Sequence, residues 1–169
     1  PEITLSGYLG GMPLACAVGR GLNELRERSK LGGSVPERNV ALLGARDLDP
    51  PEADALAASE VTLVRSDQLA NQAAFEAALA KLRGVEQLYL HIDIDVLDPA
   101  EAPGINYPAG GGLTVGQLQD AVRQVVAFGN VGAIALTAVD PDKDVDGRTV
   151  AAAIQVIETA IGQLCEQSA

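Results

Sequence analysis

Tryptophan is absent from this chain, aromatic residues make up only 3% of it, and it carries two cysteines and one histidine. The two cysteines, Cys16 and Cys165, lie near opposite ends with no CxxC pair, which excludes a disulfide framework or a zinc ribbon and makes a reducing cytoplasm the expected location. A single histidine, His91, excludes a histidine-rich metal cage built from this chain alone. Positive charge is also scarce: 12 Lys and Arg against 23 Asp and Glu leave a formal charge of -11. Such a field repels polyanions, so neither nucleic acid nor an anionic membrane is the expected partner, and a cationic small molecule or divalent metal suits it better. Finally, no apolar run is long enough to span a bilayer, and no basic segment followed by an apolar stretch opens the chain.

What is present is a core. Hydrophobic residues make up 47% of 169 positions, rich in Ala, Val and Leu and accompanied by 18 Gly, enough for one domain of small, tightly packed side chains. Short apolar runs alternate with longer Ala/Leu-rich runs, the βαβα pattern of a mostly parallel sheet covered on both faces, a three-layer αβα fold. The strands are expected at 39–44, 61–65, 87–94 and 131–138. Helices are expected at 13–28, at 50–59, from a cap at Ser66 or Asp67 to 82, from a Thr114 cap to 128, and at 145–167, where Val150, Ile154, Ile157, Ile161 and Leu164 share a stripe. Between strand and helix, 98–113 (DPAEAPGINYPAGGGL) holds neither period, and a long loop in a small domain is more often functional than idle.

That loop follows a strand ending in acids. Side chains alternate along a strand, so Asp93 and Asp95 fall on one side, roughly 7 Å apart. A strand reading LYLHIDI is expected to be buried on both faces, where unpaired carboxylates cost several kcal/mol each. Bound cations answer that cost, and two acids at a strand end suit a divalent metal. The bland alternative is that one Asp caps the following turn while the other pairs with a basic side chain. His91, two residues upstream on the same side, reads as a hydrogen-bonded residue supporting the site rather than a ligand.

The run 91–99 (HIDIDVLDP), then 102–104 (APG) and 111–114 (GGLT), resembles the signature of the arginase and agmatinase family, the ureohydrolases. By that resemblance Asp93 and Asp95 match two aspartates that ligate a pair of Mn²⁺ ions. The segment 46–52 (RDLDPPE) resembles the one that holds a substrate α-amino group, which would fall to Asp49 and Glu52. Residues 6–13 (SGYLGGMP) resemble the SGNxHGxP loop, placing Ser6 near the substrate carboxylate. The resemblance implies an arginase-like fold, with 1–169 as the C-terminal portion of one domain whose N-terminal strands are missing. It also implies a homo-oligomer and hydrolysis of a guanidinium substrate, arginine to ornithine and urea first, agmatine or another amidine next.

Three departures accompany the resemblance. The family's upstream metal motifs, GGDH and DAHxD, have no counterpart in these residues, so the lone chain is not expected to turn over. The loop histidine falls on Gly10, and a late glutamate falls on Ala138, with Asp140 two positions on. No catalytic residue is assigned. A non-catalytic family member that binds metal or ligand, and a DxD metalloenzyme acting on phosphates, are the competing readings.

Overall fold

The computed structural model describes residues 2–30 and 32–167. Among these residues four strands form, all paired in parallel, as the alternating pattern requires. Strands β1 (Ala41–Ala45) and β2 (Thr62–Arg65) pair in parallel, as do β3 (Leu88–Asp93) and β4 (Val131–Thr137). Parallel neighbours need a crossover, and helices supply each one: α3 (Pro50–Ala57) joins β1 to β2, α4 (Gln72–Ala80) leads to β3, and α5 (Val115–Phe128) carries the chain to β4. Helix α6 (Arg148–Gln167) follows β4. No described helix is long and apolar enough to cross a membrane, and both cysteines are free.

Helix starts depend on local competition between caps. At α5 the signal is unambiguous: Thr114 Oγ1 accepts from the Gln117 amide at 3.2 Å, and Gln117 Oε1 accepts from the Thr114 amide at 2.9 Å, a reciprocal capping box. At α4 the expected cap at Ser66 or Asp67 is wrong. Those residues form a 3-10 turn, Ser66–Gln68, and the helix begins beyond Asn71, whose Oδ1 accepts from the amides of Ala73 and Ala74. The single helix expected over 13–28 is two, α1 (Pro13–Ala17) and α2 (Asn23–Arg28). Gly19 (φ 85°) and Leu22 (φ 51°) between them are left-handed, which no α-helix continues through.

The larger core is closed by Ile92 and Ile94 from β3 and its turn, Val122 and Val126 from α5, and Val156 and Ala160 from α6. Here two expectations need correction. Strand β3 is not buried on both faces: Leu88, Leu90 and Ile92 turn toward the helices, whereas Tyr89 is 61% exposed and His91 is exposed beside it. Nor does the whole bulky stripe of α6 face inward: Leu164 packs against the core and Ile157 is half-buried, but the rest is open. Val150, Ile154 and Ile161 are 39%, 53% and 53% exposed, while Thr149, Ala152, Val156 and Ala160 are buried. Small side chains let α6 approach α5 closely, so the face with the least bulk is the one that packs.

The long loop is tied down at both ends. Leu97 and Leu113 form an isolated parallel bridge, with the Asp98 amide donating to Leu113 O and the Leu113 amide to Val96 O, each at 2.9 Å. Further along, the buried Gly104 amide donates to Thr149 Oγ1 at 2.7 Å, and Asp144 accepts from the amides of Thr149 and Val150 at 2.9 Å, so the start of α6 holds the APG segment. Burial pushes the Asp144 carboxyl up, but the Val150 and Thr149 amides outweigh it and hold the group below its usual range. Replacing Thr149 with Val keeps the shape but orphans the Gly104 donor. The expected loss is about 1–3 kcal/mol of unfolding free energy, read from the urea midpoint.

Candidate functional site

Strand β3 ends at Asp93 because its side chain takes over from the ladder. Asp93 Oδ1 accepts from the Asp95 amide at 3.1 Å and caps a 3-10 turn, Ile94–Val96. Asp95 therefore lies in a turn and not on the strand as expected. The two carboxyls still converge, through the tightness of that turn and a hydrogen bond between the two side chains. Half of the bland alternative thus holds: Asp93 is a cap. The other half does not, since among the described residues neither acid has an ion-pair partner.

The electrostatics follow from that geometry. Burial, then the charge of Asp93, pushes the Asp95 carboxyl up to about 6, with Arg46 partly opposing and the hydrogen bond that protonated Asp95 donates to Asp93 adding to the rise. Two half-buried acids side by side, with no ion pair to either among the described residues, form a place of concentrated negative potential. Among the described residues no three His, Cys, Asp or Glu side chains gather as a metal cage. The donor set present is a pair.

The other expected residues distribute around it. His91 bonds Tyr89 Oη through Nδ1 at 3.0 Å and Thr137 Oγ1 through Nε2 at 3.1 Å, so both ring nitrogens are used on the open side of β3 and β4. Asp49 stands at the N-cap position of α3 and Glu52 in its first turn. Burial raises the Glu52 carboxyl, the Asp49 backbone opposes this, and the Asp49 charge adds to it. Ser6 is exposed, its Oγ accepting from the Tyr8 amide at 3.2 Å. Its loop reaches the 98–113 loop through Tyr8 and Tyr107, whose ring centroids lie 4.6 Å apart.

At Gly10 an added Cβ would run into the Tyr8 ring, its hydroxyl 2.7 Å away, so no side chain fits there unless Tyr8 moves. Ala138 sits at φ 68°, a conformation that costs an alanine about 1 kcal/mol. Asp140 is engaged in its own turn, accepting from the Asp142 amide at 3.1 Å and facing Lys143 at 3.6 Å. A shallow hollow lined by Leu82, Val85, Leu88 and Phe128 lies by the other end of β3, away from the acids.

Two contributors have roles that the sequence does not show, Asp98 among the acids that close the strand and Arg46. Asp98 accepts from the amides of Ala100 and Gly111, both at 3.0 Å. The Ala100 bond, against burial and with Gly111 and Gly112 adding, holds its carboxyl below the usual range; it pins the loop. Arg46, half-buried at the end of β1, donates to the carbonyls of Asp95, Leu97 and Ala109. The available signal was a lone arginine closing an apolar strand (NVALLGAR), where a charge needs a reason to be.

The chain as a whole is similar to known proteins. The arginase of Bacillus subtilis (strain 168) is 28% identical over 165 residues, covering 96% of this chain and 56% of that protein. The arginase of Staphylococcus aureus (strain MRSA252) is 30% identical over 168 residues, covering 96% and 55%. The crystal structure of the B. subtilis arginase matches with a TM-score of 0.87 at 27% identity, over 95% of this chain and 56% of that one. The chain thus spans about half the length of the relatives it matches. A model described as the Arginase family covers residues 1–162, and so, with the parallel α/β fold agreeing, the chain belongs to the arginase family.

Proposed function

We propose that this chain forms part of an arginase-like ureohydrolase, a hydrolase of a guanidinium substrate that works with two Mn²⁺ ions. The observation that carries the reading is the meeting of Asp93 and Asp95 at the end of β3 with no ion pair to either among the described residues. Oxygen donors of this kind suit hard divalent cations. As a pair they fit part of a metal's coordination, and the remaining ligands come from outside the described residues.

When bound, such ions make hydroxide available near neutral pH by lowering the pKa of water. The chain's own residues do the rest. Asp93 and Asp95 hold the cations. Asp49 and Glu52, one turn apart at the start of α3, offer acceptors for a substrate ammonium group, which favours arginine over agmatine. Ser6 offers a hydroxyl to the carboxylate of the same substrate, and His91 stiffens the strand below Asp93. The net charge of -11 draws a cationic guanidinium inward.

A second reading, binding without turnover, draws on Tyr8 occupying the space beside Gly10 and on Ala138 lacking any acid. One assay separates the two. Expressed from its complete reading frame and supplied with Mn²⁺, the protein should release urea from arginine faster than from agmatine. Release from neither rejects the proposal; ligand binding without release favours the second reading.

A further inference from the structure

Arg46 lies where two parts of the site meet. Its Nη2 donates to Asp95 O, to Leu97 O at 3.2 Å and to Ala109 O at 3.0 Å, and its Nε donates to Ala109 O at 3.2 Å. Every acceptor is a main-chain carbonyl. Two belong to the turn that carries Asp95, and the third to the loop after it. A guanidinium is the one side chain with enough donors in a fixed fork to hold three carbonyls at once.

On its other side Arg46 leads directly into Asp47, left-handed at φ 52°, and then to Asp49 and Glu52. The contact between the two segments is close. A Cβ added at Gly44, just before Arg46, would come within 2.6 Å of the Val96 side chain. Backbone held in a sparsely populated conformation beside such a clamp is over-determined by its surroundings.

We infer that Arg46 is a positioning residue: its guanidinium fixes the spacing between the segment carrying Asp49 and Glu52 and the turn carrying Asp93 and Asp95. The inference deepens the functional reading above and rests on it for the roles of those acids. A different role, simple counter-charge to the acids, makes the opposite prediction for metal. Removing a nearby cation strengthens binding of another cation, whereas removing a positioning partner weakens it, typically 10–100-fold.

The test compares wild type with Arg46→Gln, which loses the charge, and Arg46→Lys, which keeps it but loses the fork. Mn²⁺ binding is followed by the electron paramagnetic resonance of the free ion. Hydrogen exchange is followed at the amides of Leu97, Asp98 and Leu113 on one side and Ala53, bonded to Asp49 O, on the other. Both variants should bind Mn²⁺ at least about tenfold more weakly and exchange faster at all four amides, with α5 and α6 unchanged. Tighter or equal binding by Arg46→Gln, recovery by Arg46→Lys, or faster exchange spread over α5 and α6 overturns the inference. If wild type binds Mn²⁺ no better than a variant lacking both acids, the functional reading fails instead. Exchange then decides alone: loosening confined to the two segments keeps Arg46 as their clamp, and unchanged exchange removes it.

Discussion

Asp95→Asn is expected to stabilise the metal-free protein while destroying its affinity for Mn²⁺. Both effects have one cause. The Asp95 carboxyl is raised to about 6 by burial and by Asp93, above its value in an unfolded chain, so the folded state holds a proton that the unfolded state has already released. By linkage, this group's contribution to stability falls as pH rises from about 4 through 6 and remains unfavourable at pH 7. An asparagine carries no such penalty, and with solvent screening of a half-exposed group the gain at pH 7 is roughly 1 kcal/mol, vanishing below about pH 4. Affinity for Mn²⁺ should fall by more than the roughly 10–100-fold typical of a supporting residue, because a donor oxygen and its charge are lost. In wild type the same proton competes with the ion, so binding should weaken as pH drops through 6. Paired thermal melts and Mn²⁺ titrations across pH 4–8 check all of this. A pair of acids serving only structure would give the reverse sign in the melt.

Gly112→Ala carries the largest expected cost to the fold. A Cβ at this position would strike the Asp98 amide nitrogen and the Leu97 carbonyl carbon, and would lie 2.6 Å from Leu97 O. Those are backbone atoms and cannot rotate away. They also belong to the Leu97–Leu113 bridge that closes the loop behind the acids. Relief therefore means opening the bridge, at roughly 3 kcal/mol, and with it loosening the turn that Arg46 grips. Gly116→Ala is the matched control: nothing lies within 4 Å of its added Cβ, and α5 gains a better helix former. The urea midpoint should drop sharply for the first and hold or rise for the second.

Sequence reading succeeded where the determining chemistry is local. The Thr114 and Gln117 cap is contained in four residues, and the strand bearing Asp93 is a continuous apolar run ending in acids. It failed where a distant partner decides. The α4 cap is a separate miss and a local one, Asn71 outcompeting Ser66 and Asp67 a few residues upstream. The inward face of α6 is chosen by how closely α5 approaches, which favours Ala152 and Ala160 over the bulkier Ile154 and Ile161. Strand β3 looked apolar on both sides, yet Tyr89 and His91 face outward with polar tips bonded along the sheet.

The site divides the same way. Asp93 and Asp95 were recognisable as a pair from their spacing, although a turn rather than strand alternation brings them together. Ser6, Asp49 and Glu52 came only through family resemblance, because nothing in their own neighbourhoods distinguishes them from ordinary loop and helix-start residues. For Arg46 the sequence marks only a charge closing an apolar strand and not what it holds: its acceptors lie 49 to 63 positions away, and carbonyls leave no mark in a sequence.

Anomalous diffraction from crystals grown with Mn²⁺ addresses the metal site most directly. A manganese peak should appear between the two acids, with one carboxyl oxygen from each of Asp93 and Asp95 at roughly 2.2 Å, between the distances usual for magnesium and calcium. An empty gap there at saturating Mn²⁺, or an ion held only by other surface carboxylates, would contradict it.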